Sequence, residues 1–112
     1  MSDRELLELA ANAADIRHEG FLSTGALWAM VGKKGTYNQW NPLTDDGDAL
    51  RLAVKLGLAI RALEKCVYVE SDPETLLGQS SVSELEMYKG DPYAATRLAI
   101  VRAAAEIGKG ME

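Results

Sequence analysis

The sequence is short of the residues that most often carry chemistry. It holds one cysteine, Cys66, and one histidine, His18, among 112 residues. One cysteine excludes an intramolecular disulfide and suits a reducing cytoplasm. Together the two counts exclude four-cysteine zinc sites and histidine-rich metal sites. Any Ser-His-Asp or Cys-His catalysis would have to run through His18 itself. The longest apolar stretch, Gly25 to Gly32, is far below the roughly 20 residues of a membrane helix. The N-terminus, Met-Ser-Asp-Arg-Glu, lacks the apolar core of a secretion signal. Positive charge is also scarce. Twelve Lys and Arg stand against seventeen Asp and Glu, a net charge of -5, spread evenly over the chain. That balance disfavours capture of nucleic acid or of an anionic membrane.

What remains is ordinary globular composition, 47% hydrophobic and 26% charged, in a chain of single-domain size (residues 1–112). Residues 2–19 read as a helix. Ser2 and Glu5 have capping-box spacing, Leu6, Leu9, Ala10, Ala13 and Ile16 recur on one side, and Gly20 is a stop. His18 then sits near the helix end, where the dipole favours an imidazolium. Residues 21–43 read as a loop with a short helix or strand near Ala26–Val31. Gly32-Lys33-Lys34-Gly35 marks an exposed turn, and Trp40 is the large anchor before Asn41-Pro42. A second helix starts at Thr44, Asp45 and Asp46 and closes at Gly57, with Leu50, Ala53 and Val54 as its buried stripe and Leu52 and Leu56 beside it.

From residue 58 the period changes to two and predicts a strand, bent or bulged near Glu64–Lys65, with continuation of the helix to Glu64 as the alternative. Ser71-Asp72-Pro73 breaks the run, and residues 78–81 end the connecting loop. A returning strand over Val82–Tyr88 places Leu85 and Met87 on the buried face and Glu84, Glu86 and Tyr88 on the wet one. The last helix opens on Asp91 and Pro92, is Ala-rich from Ala94 to Ile107, and ends at Gly108 and Gly110. The class is α+β, with three main helices and a small antiparallel sheet.

Trp40-Asn41-Pro42-Leu43-Thr44-Asp45-Asp46, opening the helix Ala49–Leu56, resembles small bacteriophage and prophage proteins of the phage ABA-sandwich domain family. Asp91-Pro92-Tyr93-Ala94-Ala95-Thr96-Arg97, followed by Ala99-Ile100-Val101-Arg102-Ala103-Ala104, resembles that family's closing helix, and the opening Leu6-Leu9 helix fits its first element. The resemblance implies a three-layer α-β-α sandwich and a phage or prophage origin. It implies no catalytic residue and no cofactor.

Each remaining constellation has a plainer account. Asp45, Asp46 and Asp48 would suit a Mg²⁺-dependent enzyme built on carboxylates, but Gly47 falls too early for a calcium loop and helix capping accounts for the cluster. Gly32-Lys33-Lys34-Gly35 lacks the frame of a phosphate-binding loop. Cys66 reads as a structural cysteine, and Glu84 with Glu86 as solvated carboxylates. Lys33, Lys34, Tyr37 and Trp40 form the candidate ligand or partner surface, able to stack on a base while contacting phosphate; the plainer reading has Tyr37 and Trp40 plug the gap between the two helices, with Trp40 structural. The leading expectation is a non-catalytic phage or prophage accessory protein acting through contact with a host or phage protein. A small-molecule or nucleotide binder is the rival. Few strands leave unpaired edges, and the apolar Phe21–Val31 segment exceeds what a connection needs, so a homo-oligomer, most simply a dimer, is expected; the rival is that this segment folds back as a further strand or helix over its own sheet and leaves a monomer.

Overall fold

The structure is a computed structural model and describes residues 1–71 and 82–111. The Asp72-Pro73 break and the loop end at residues 78–81 lie outside the described residues. The chain runs α1 (Asp3–Ala13), β1 (His18–Phe21), β2 (Leu27–Ala29), a 3₁₀ turn (Lys33–Gly35), β3 (Asn38–Trp40), α2 (Asp46–Leu56), β4 (Leu58–Ala62), β5 (Cys66–Ser71), β6 (Ser83–Met87) and α3 (Pro92–Gly110). The fold is α+β with three helices. Its strands divide into two antiparallel three-stranded sheets, β1-β2-β3 and β4-β5-β6, where one small sheet was expected.

Helix α1 is shorter than the periodicity predicts. Ser2 caps it, accepting from the Glu5 N–H. It stops at Ala13 because Asp15 turns into the left-handed region (φ 56). The Ile16 and Asp15 N–H groups then close the end on the carbonyls of Ala11 and Asn12. Ile16 still packs on the core, so the helical spacing of apolar residues outlasts the helix. His18 is accordingly not a helix cap. It opens β1, with Nε2 3.3 Å from Asn12 Oδ1. Gly20 is no stop either; it sits inside the irregular β1 at φ 108.

Asp45 caps α2 through the Asp48 N–H, and Gly57 closes it in the left-handed conformation (φ 66). The buried stripe is Ala49, Leu52 and Ala53, while Leu50 and Val54 are 60% and 73% exposed. The expected stripe was therefore one residue, about 100°, out of phase. The helix turns Ala49, Leu52 and Ala53 inward, and α3 packs against it.

In the second sheet β4 and β5 form a tight hairpin, not a bent strand, closed by the Leu63 N–H to the Cys66 carbonyl. Val67, Val69 and Ser71 on β5 point inward. The β6 register sets Glu86 opposite Val67 and Glu84 opposite Val69, so both glutamates share the inward face. The expected facing of β6 is thus reversed: Leu85 and Met87 lie on the outside. Arg102 of α3 makes this tolerable, donating to Glu86 Oε2 at 2.5 Å.

Helix α3 packs against α1, α2, β5 and β6. Asp91 caps it and Pro92 opens it. It runs through Gly108, which is buried against α1, and ends at Gly110. One contiguous core links α1, β2, β3, α2, β5 and α3. Helix covers one face of β4-β5-β6. Its other face carries none among the described residues, so the three-layer α-β-α order is not shown by these contacts.

Candidate interaction surface

The predicted loop surface divides in the structure. Lys33 and Lys34 are exposed in the 3₁₀ turn, which the Gly32 N–H closes on the Thr36 carbonyl at 2.8 Å. Tyr37 is half-buried. Trp40 is not on the surface at all: it is 3% exposed and packs in the core. It borders a small cavity of about 200 Å³ with Ala14, Ile16 and Leu52, between the ends of α1 and α2. Its place outside is taken by Trp28, whose ring lies 6.3 Å from that of Tyr37 and 18° from parallel. The β2 alternation could have revealed this, since Leu27 and Ala29 point in and Trp28 must then point out.

The acidic cluster at α2 does not converge. Asp45 Oδ2 accepts from the Asp48 N–H at 2.8 Å. Asp46 reaches away to Arg97 Nη1 at 2.6 Å. Asp48 takes Arg51 at 2.8 Å and the Asn41 N–H at 2.9 Å. Asp45 also lies 3.9 Å from Arg51, so Asp45 and Asp48 share that guanidinium while Asp46 pairs with Arg97. Among the described residues no three His, Cys, Asp or Glu side chains gather as metal ligands. Beside the cluster lies a polar cleft of about 430 Å³, lined by Thr24, Asn38, Gln39 and Asn41 as well as Asp48 and Arg51. Its charged groups are two carboxylates, Asp45 and Asp48, and one guanidinium, Arg51, which pairs with both.

Cys66 and His18 do not form a nucleophile–base pair: His18 meets Asn12, and Cys66 stands half-buried opposite Met87 on β6. Glu84 faces α3 beside Glu86. Burial raises its pKa, Arg102 pulls it down, and Glu106 and Glu86 push it up. This pair is therefore part of the sheet–helix contact, not a solvated patch.

Among the described residues the outer face of β4-β5-β6 carries exposed apolar side chains with no helix over them. Register aligns Arg61, Tyr68 and Leu85 in one row and Cys66 with Met87 in the next. Leu85 and Met87 are 53% and 51% exposed. Strand alternation alone could not find this face, because it leaves open which set points inward.

Comparison of the chain with known protein families, curated proteins and solved structures gives no match. No helix among the described residues is long and apolar enough to cross a membrane.

Proposed function

We propose that this protein is a small, non-catalytic binding protein that works through protein–protein contact. The observation that carries the reading is the outer face of β4-β5-β6, where Leu85 and Met87 stand exposed beside a half-buried Tyr68 on an acidic protein. Contiguous exposed apolar surface of this kind marks interaction sites. The clustered carboxylates face arginines, and the histidine and cysteine lie apart from one another, which supports a binding role over an enzymatic one. The phage ABA-sandwich resemblance gives the setting: an accessory protein of a phage or prophage, in the bacterial cytoplasm, contacting a host or phage protein and associating with itself, most simply as a dimer. Its net charge of -5 argues against nucleic acid as the partner.

The test is affinity capture from bacterial lysate with the parent and with a Leu85→Asp, Met87→Asp variant that retains its fold. A partner held by the parent and lost by the variant supports the reading. Equal retention by both places binding elsewhere.

A second reading is favoured by the Trp28–Tyr37 stack, whose two residues flank Lys33 and Lys34 in the chain: a small-molecule or nucleotide site. A nucleotide-specific rise in Tm, abolished by Trp28→Ala, supports it; an unchanged Tm removes it.

A further inference from the structure

We propose that two copies of this chain join edge to edge through β4, giving one continuous six-stranded antiparallel sheet. This rests on the self-association put forward above and names the surface that carries it.

The ladder fixes which main-chain groups are free. The Leu63 N–H binds the Cys66 carbonyl, and hydrogen-bonded pairs alternate along an antiparallel hairpin. Leu63, Arg61 and Ala59 therefore turn their N–H and C=O groups toward β5. Leu58, Ile60 and Ala62 turn theirs away from it. β4 lies at the end of its sheet, and among the described residues no other main chain pairs with that side. Ala59, Ile60, Arg61 and Ala62 are all exposed. Of the usual protections of a free edge β4 has no proline, no lysine and no bulge; its one charge is Arg61, whose main-chain groups face β5, and its five residues pair with β5 in unbroken register.

The strand is also self-complementary. A two-fold axis at Ile60 sets the outward groups of Ile60 against those of Ile60 in the second copy, and Leu58 against Ala62 in both directions. All three outward residues of each strand are then satisfied, about six hydrogen bonds by the antiparallel pattern. Between them Ala59 faces Arg61 of the second copy, so no like charges stand opposite one another.

The other edges fail this test. Main-chain bonds from Tyr88 to Lys65 and from Ser71 to Val82 turn Ser83, Leu85 and Met87 outward on β6. Pairing about Leu85 would set Glu84 against Glu86, a like-charge opposition that destabilises strand pairing. β1 is broken by an irregular register at Gly20, and β3 is three residues long. Because the axis is normal to the sheet, both α3 helices stay on one side. The two apolar outer faces then merge into one surface on the other.

Light scattering during size exclusion at tens of micromolar protein is the test. The parent is expected at twice its 12.1 kDa chain mass. Ile60→Lys, which opposes two ammonium groups at the axis, is expected at the single-chain mass with an unchanged circular dichroism spectrum. Leu85→Lys is expected to stay paired. A folded Ile60→Lys that remains a dimer overturns the β4 edge but not self-association. A monomeric parent overturns both. Should Ile60→Lys not fold, amide hydrogen exchange of the parent decides. The Ile60 and Ala62 amides slow as concentration rises if β4 pairs, and concentration-independent exchange overturns the proposal.

Discussion

A Cβ added to Gly108 would lie 2.1 Å from the carbonyl oxygen of Leu9. Helices α1 and α3 thus approach through a backbone-to-backbone contact that no side chain fits. Ala10, Ala11 and Ala14 on α1 and Ala103, Ala104 and Ala105 on α3 are buried in the same core. Inside a helix Gly→Ala ordinarily gains about 1 kcal/mol from propensity. Here the obstacle is backbone, which cannot swing aside, and overpacking a core costs typically about 1–3 kcal/mol. Gly108→Ala is expected to lower Tm. A rise in Tm would mean that α1 and α3 lie farther apart.

Trp40 makes the second prediction. It belongs to the core, between the ends of α1 and α2. Truncating a buried tryptophan costs about 3–5 kcal/mol, so Trp40→Ala should lower Tm by more than about 10 °C. Trp28→Ala, on the exposed side of the same sheet, should change Tm far less. Equal effects would contradict the burial of one ring and the exposure of the other.

Signals confined to a few adjacent residues were legible in the sequence. Asp91-Pro92 marks the start of α3 and Gly57 the end of α2, because a cap is satisfied by its own neighbours. The strand after Gly57 was legible for the same reason, through its period. What was hidden depends on partners far along the chain. The facing of β6 follows from Arg102 meeting Glu86, and a strand of alternating Glu and apolar residues fits either facing. Helix α2 turns alanines inward because α3 comes close, a fact absent from the α2 sequence. The end of α1 was masked by Ile16, which keeps the helical spacing while Asp15 breaks the helix. At the candidate surface Lys33, Lys34 and Tyr37 were placed at least partly at the surface, and Trp40 was exchanged for Trp28. The reading of Trp40 as a buried anchor before Asn41-Pro42 holds, and its place in the surface set does not.

The cap of α3 is tested alone. Asp91 Oδ1 accepts from the Ala94 N–H at 3.1 Å. Asp91→Ala should cost about 1 kcal/mol and Asp91→Asn much less. The readout is the urea midpoint at constant m. Equal losses for both variants would assign the effect to charge, not to the cap hydrogen bond.

Glu84 links the reversed β6 facing to pH. Burial raises its pKa above the ordinary 4.5, against the pull of Arg102, with Glu106 and Glu86 adding to the rise. The folded protein therefore binds this proton more tightly than the unfolded chain. Between the ordinary value and the raised one the folded state holds more protons, so this group's contribution to stability falls as pH rises through that window. Above it the charged Glu84 is a net cost, and below 4.5 the cost is absent. Glu84→Gln should accordingly raise Tm at pH 7, with the gain shrinking toward zero as pH falls below the ordinary glutamate value. Glu86→Gln serves as the contrast. Its carboxylate is bonded to Arg102, and losing that charge should lower Tm at pH 7. Thermal melts of the parent and both variants across pH 3–8 supply the measurement, a range spanning the ordinary carboxylate pKa values. A Glu84→Gln variant less stable than the parent at pH 7 would mean that the attraction of Arg102 outweighs the cost of burying Glu84, against the direction of its pKa.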